Sequence, residues 1–257
     1  MENKTNTTPQ HQNRISALDG LKGISSIIIV ALHVLGIGGF LGISNNLLFI
    51  PKYFAFGVTM FLIISAFSLS LNYHNKIHSS GSILDYFLNR YARITPLFLF
   101  MMIVWIFIIN IDFKTSVTCN EIIINIFYLY NFIPGKYAGI IWASWPIGVL
   151  FIFYLVFPLI IIVNKSIKSA IIIQCIFIII GYSIYSFFNN QNYPPGYAYA
   201  CFFSQLPIFG FGIIMYYMLK SSNIKKLGRI LISITGLIIQ YCVQDDTMIY
   251  TRHGGLP

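Results

Sequence analysis

Seven apolar runs, most of them long enough to cross a lipid bilayer as a helix, dominate this sequence. They lie at about 16–38, 54–72, 95–111, 143–164, 169–188, 200–219 and 229–243. About 20 apolar residues rising 1.5 Å each cross a hydrocarbon core about 30 Å thick. In lipid, every backbone amide must find its partner within the protein, so such runs are helical. Only 9% of the 257 residues are charged, against about 25% in a soluble domain. A soluble globular domain, a disordered chain and a disulfide scaffold are excluded together. The expected fold is all-α: a polytopic integral membrane helix bundle of about seven transmembrane helices. One membrane domain, 16–244, would follow a polar tail, 1–15, and precede a short polar tail, 245–257. No small-residue cleavage site follows the first apolar run, so no cleavable signal is expected. A shorter run, Ile122 to Ile133, is too short to span and reads as a re-entrant or interfacial helix.

The net charge of +9 has a topological explanation. With the N-terminus in the cytoplasm, eleven of the sixteen Lys and Arg fall on inner segments and four on outer ones. Lys22 lies within the first span. This is the positive-inside bias, so nucleic acid is not an expected partner, and membrane lipids are. A spanning Ile122–Ile133 would invert every later loop and place Lys225, Lys226 and Arg229 outside.

Ionisable residues inside a span are costly and mark function by default. The first span opens with Ser16, Asp19 and Lys22 and continues to His33. At 100° per residue, Lys22 and His33 are about 20° apart around the helix and Asp19 about 40° off in the other sense. The three share one face, with Lys22 and His33 roughly 16 Å apart along the axis. Other readings exist: Ser16 with Asp19 forms a capping box, and Lys22 can snorkel to headgroups. A neutral His33 at depth suits a general base. Arg90 and Arg93, spaced i, i+3 at the expected opening of the third span, suit a phosphate or pyrophosphate, or else anchor topology.

Other patterns are weaker. His74 and His78 stand i, i+4 without a third ligand, so no metal is expected. The cysteines show no C-x-x-C spacing and read as small apolar residues. The outer loop Asn189 to Tyr199 is polar, aromatic and uncharged. It suits stacking on a sugar or an ordinary Pro/Gly turn with interfacial tyrosines.

At these residues the sequence resembles the membrane-bound acyltransferase family 3, the O-acyltransferases of bacterial surface polysaccharides. Arg14-Ile15-Ser16-Ala17-Leu18-Asp19-Gly20-Leu21-Lys22-Gly23, followed by His33, resembles the family opening, R-x-x-x-[LI]-D-G-L-R-G and a first-span histidine. Met60 to Phe67 resembles its F-F-x-x-S-G-F block, with Ala66 in the glycine's place. Arg90 to Pro96 matches R-x-x-R-I-x-P, and Trp145 to Pro158 resembles W-S-L-x-x-E-x-x-F-Y-L-x-x-P. Two positions depart from the pattern. Lys22 stands for an arginine and lacks its bidentate fork. Leu150 stands for the glutamate. The family has about ten spans, so the resemblance also implies a short or truncated member.

The resemblance implies a multi-pass protein of the bacterial plasma membrane, N-terminus cytoplasmic, serving the cell envelope. It would transfer an acyl group, acetyl in the first instance, from acyl-CoA to a sugar hydroxyl of a lipid-linked or surface polysaccharide. His33, Lys22 and Asp19 would be catalytic, His33 as base or transient acyl carrier. Arg90 and Arg93 would hold the donor acetyl-CoA, and Trp145 and Tyr154 would line the substrate cavity. Two alternatives stay open: a carrier or flippase of lipid-linked glycans, and an inactive truncated homologue.

Overall fold

The computed structural model describes residues 16–36, 53–77, 80–113, 116–191, 193–194 and 196–220. Eight α-helices occupy them: α1 (Ser16–Gly36), α2 (Phe56–Tyr73), α3 (Ser80–Ile108), α4 (Cys119–Ile126), α5 (Trp145–Val163), α6 (Ile167–Asn189), α7 (Tyr197–Ala200) and α8 (Phe202–Lys220). α1, α2, α3, α5, α6 and α8 are long and apolar enough to cross a membrane. They match the first six expected spans. The seventh, 229–243, and both tails lie outside the described residues. The chain is an all-α polytopic membrane bundle. The end where α1 begins is called proximal below, and the opposite end distal.

Lipid tails are as apolar as leucine, so helices in a bilayer associate through close packing rather than a hydrophobic drive. Glycines supply the close approach. An added Cβ on Gly57 of α2 would meet Ile28 of α1 at 2.9 Å. One on Gly212 of α8 would meet Ala66 of α2 at 2.6 Å and the backbone nitrogen of Phe67 at 2.8 Å. One on Gly181 of α6 would meet Pro207 of α8 at 2.8 Å, and Gly210 of α8 lies directly under Gln174 of α6. Phe153 of α5 stacks on Phe209 of α8, centroids 3.8 Å apart. α2, α5 and α8 bury half or more of their spans inside the protein. α1, α3 and α6 turn rows such as Ile24, Ile27, Val30 and Val34 outward, where lipid covers them. Three serine hydroxyls are satisfied within their own helices: Ser25 donates to Leu21 O, Ser65 to Phe61 O and Ser70 to Ala66 O.

The third span corrects its expected start. The expectation was a run at 95–111 opened by Arg90 to Pro96. The helix instead begins at Ser80 and carries Pro96 in its interior. Asp85, Asn89, Arg90 and Arg93 hide its first turns from a hydropathy scan. At 1.5 Å per residue, 31 spanning residues cover roughly 46 Å. That exceeds the hydrocarbon core, so the first turns reach into the proximal headgroup region.

The short segment after α3 does not span. α4 has eight residues, roughly 12 Å, and two 3-10 turns follow, Leu129–Phe132 and Pro134–Lys136. The segment re-enters the bundle. Tyr128 and Tyr130 are fully buried, and the Tyr128 hydroxyl lies 3.2 Å from that of Thr95, midway along α3. Irregular backbone at this depth survives only inside protein, and asparagines satisfy it. Asn125 accepts from Ile140 N, and Asn131 accepts from Phe202 N while donating to Ala200 O. Glu121 closes a capping box on Thr118 and pairs with Lys136 at 3.1 Å. The Thr118 backbone N–H, then Lys136, hold its carboxyl below the usual range. This contribution is present above the ordinary glutamate pKa and is lost as pH falls through the lowered one.

Gly212→Leu drives a side chain into the α2 backbone and should cost about 1–3 kcal/mol. Gly81→Leu, in open space, should cost little. Thermal unfolding in detergent checks the pair, and equal midpoints would contradict this packing.

Candidate active site

The expected site residues fall at two depths. At the proximal depth, side chains of α1 and α3 come within electrostatic range of one another. Asp19 lies in the first turn of α1, and Lys22 one turn on is within electrostatic range of Arg93, Asp19 and Arg90. Lys22 therefore feels two arginines and one carboxylate, a surrounding of net positive charge. Lys22 is partly buried and Arg93 exposed.

Arg90 is held by tyrosines. Its Nη2 donates to the Tyr73 hydroxyl at 2.9 Å. Its guanidinium carbon lies 5.1 Å from the Tyr73 ring centroid and 5.9 Å from that of Tyr154. Tyr86 donates to the Tyr154 backbone carbonyl at 3.1 Å and meets the Tyr73 ring edge-on at 4.9 Å. Cation–π contacts stabilise a desolvated guanidinium by about 2 kcal/mol. Nε of Arg90 is buried without a hydrogen-bond partner among the described residues, so donor capacity is left over. A small apolar cavity of about 240 Å³ lies beside it, lined by Phe87, Tyr91, Phe151, Tyr154 and Leu155 among others.

Tyr73 and Tyr86 were not singled out from the sequence. Tyr86 had a signal, lying one turn before Arg90 at i, i+4 on the same helix face. Tyr73 had none, because the end of α2 and the first turns of α3 converge only in the fold. His74, beside it, packs against Tyr216 at 4.9 Å and Tyr217 at 5.4 Å. His78, four residues on, lies outside the described residues.

At the distal depth, His33 meets Trp142, ring centroids 5.2 Å apart. Trp145 begins α5 and meets Tyr199 at 5.3 Å. Trp145 and Tyr154 are therefore not neighbours. Nine residues of α5, roughly 14 Å, separate them, with Trp145 toward the histidine end and Tyr154 at the arginine. The outer-loop aromatics pack mostly on aromatics outside the loop: Tyr197 is buried against Phe188 at 4.8 Å and Tyr137 at 5.7 Å.

Leu150 is buried in the core, and Phe151 beside it stacks on Tyr128 at 4.1 Å. The polar groups brought to this depth are the paired hydroxyls of Thr95 and Tyr128. Of the four described acids, Glu121 is committed to its cap, Asp19 lies within electrostatic range of Lys22, and Asp85 is exposed near the start of α3. Among the described residues, no group of three or more His, Cys, Asp or Glu side chains is placed to hold a metal ion.

Tyr73→Phe keeps the ring and removes the acceptor for Arg90. It should cost about 1.5–3 kcal/mol, the range for hydrogen bonds to charged groups. Arg90→Lys, which loses the planar stack, should also destabilise. An unchanged unfolding midpoint in both variants would show that the tyrosines do not hold Arg90.

In comparison with known proteins, the family model of an acyltransferase domain, that of acyltransferase family 3, matches residues 15–243. No curated protein matches, and no solved structure does. The match covers most of the chain, which belongs to this family of membrane acyltransferases.

Proposed function

From that membership, we propose that this acyltransferase moves an acetyl group from acetyl-CoA to a sugar hydroxyl of a cell-surface or lipid-linked polysaccharide. One observation carries the reading. Lys22 lies within electrostatic range of Arg90 and Arg93, and His33 stands on the same helix eleven residues further on. In this reading the proximal end faces the cytoplasm of a bacterial cell and the chain spans the plasma membrane. The cations receive the phosphates of coenzyme A, and the pantetheine arm runs toward His33.

The chemistry then needs few parts. Neutral His33 takes the proton of the sugar hydroxyl as its oxygen attacks the thioester carbonyl. The C–S bond breaks, the coenzyme A thiolate leaves, and the imidazolium returns the proton to it. The product is an O-acetyl ester. Lys22 offsets negative charge on the donor, and Asp19 holds Lys22 against the two arginines. Tyr154 keeps Arg90 in place from the other side.

Leu150, apolar and buried where the family pattern has a glutamate, favours a second reading: an inactive homologue. His33→Ala separates the two. It should remove O-acetyl glycan by at least two orders of magnitude, the span of general-base catalysis, while the protein still inserts. Wild-type levels of O-acetyl glycan would overturn the role of His33. No acetyl transfer by the wild-type protein would support the inactive reading, and glycan translocation without acetylation a carrier.

Arg90→Ala combined with Arg93→Ala should weaken acetyl-CoA binding on the order of tenfold or more, since each lost charge-assisted bond is worth 1.5–3 kcal/mol. Unchanged affinity would leave these arginines as topology anchors.

A further inference from the structure

A tight turn holds Trp142 against His33. The turn runs from Ile141 to Ser144 and is closed by Ser144 N donating to Ile141 O at 3.0 Å. Ala143 occupies its third position at φ 62°, where glycine is the ordinary choice. An alanine there carries steric strain of about 1–2 kcal/mol. The surroundings over-determine it. Ser144 Oγ donates to Ala138 O at 2.9 Å, and the Tyr130 hydroxyl donates to Ser144 O at 2.9 Å. Asn125 accepts from Ile140 N at 2.9 Å. Gly139 stands at φ 78°, and a Cβ there would meet Ser144 Oγ at 2.5 Å.

Strained backbone that persists because its neighbours enforce it is a pointer to function. The residue this turn presents is Trp142, partly exposed, its ring 5.2 Å from that of His33 at an angle of 58°. A histidine in contact with a partly exposed tryptophan matches what a carbohydrate hydroxyl needs. The indole offers a flat, weakly hydrated face to the C–H face of a pyranose ring. The imidazole then stands beside the sugar's hydroxyl edge. A purely aliphatic ligand would leave the imidazole unused.

We infer that Trp142 is the stacking wall of the acceptor site: it binds the sugar ring and presents its hydroxyl to His33. The inference rests on the proposed sugar acceptor and adds the residue that selects it. The enforced turn is what keeps the indole in register with the imidazole.

The test uses the full-length chain purified in detergent, with methyl glucoside, methyl galactoside and methyl N-acetylglucosaminide as probes. Equilibrium binding is measured without acetyl-CoA for wild type, Trp142→Ala and Trp142→Phe. At least one glycoside should bind wild type, and Trp142→Ala should weaken it on the order of tenfold, about the worth of one stacked ring. Trp142→Phe, which keeps an aromatic face and guards against misfolding of the alanine variant, should restore most of the affinity. Equal affinity in wild type and Trp142→Ala, or no binding of any probe by wild type, overturns the inference. Acetyl transfer is followed separately. An acceptor KM raised by Trp142→Ala, with acetyl-CoA KM unchanged, supports the stacking role. A fall in kcat alone, alike in both variants, overturns it. Trp142-dependent binding with no acetyl transfer by wild type keeps the sugar wall and overturns the acyltransferase reading instead.

Discussion

A guanidinium inside an apolar bundle is tolerated only where the protein supplies what water would, and Arg90 shows how this fold does so. Its charge rests between the rings of Tyr73 and Tyr154, and one nitrogen donates to the Tyr73 hydroxyl. Those contacts come from three helices. α2 must end at Tyr73, α5 must place Tyr154 midway along its length, and α3 must extend back far enough to carry Tyr86 beneath both. Holding the arginine in this way also fixes one of the two arginine charges that Lys22 of α1 feels. The proximal cluster is thus a consequence of helix packing as much as of the residues in it.

The packing has its own cause. Glycines on α2, α6 and α8 remove the side chains that would keep the helices apart, and the stacked pair Phe153 and Phe209 sets the register of α5 against α8. Into the space left between α3 and α5 drops the re-entrant segment, its backbone satisfied by Asn125 and Asn131. That segment does two things at once. It seals the bundle at the depth of Leu150 with Tyr128 and Phe151, and it carries the turn that sets Trp142 on His33. The two depths of the site are linked by α1, whose single polar face passes from one to the other.

Much of this was legible in the sequence, because hydrophobic length and helical spacing are local properties. The six described spans, the non-spanning character of Ile122 to Ile133 and the shared face of Lys22 and His33 follow from counting residues. The start of α3 was not legible, since four polar residues and a proline interrupt a helix that tertiary contacts sustain. Tyr73 and Trp142 were not legible either. Each is an ordinary aromatic in the chain and gains meaning only from a partner, Arg90 in one case and His33 in the other, brought near by folding. Trp145 and Tyr154 share one helix yet stand roughly 14 Å apart along it, since nearness on one helix is not nearness in depth.

The central claim is that donor and acceptor meet through this bundle from its two ends. Sealed membrane vesicles carrying the protein and its glycan, with labelled acetyl-CoA supplied to one face at a time, test it most directly. The account predicts labelled O-acetyl glycan when the donor meets the face where α1 begins, and little when it meets the other. Label transferred equally from either face, or none from both, would contradict it.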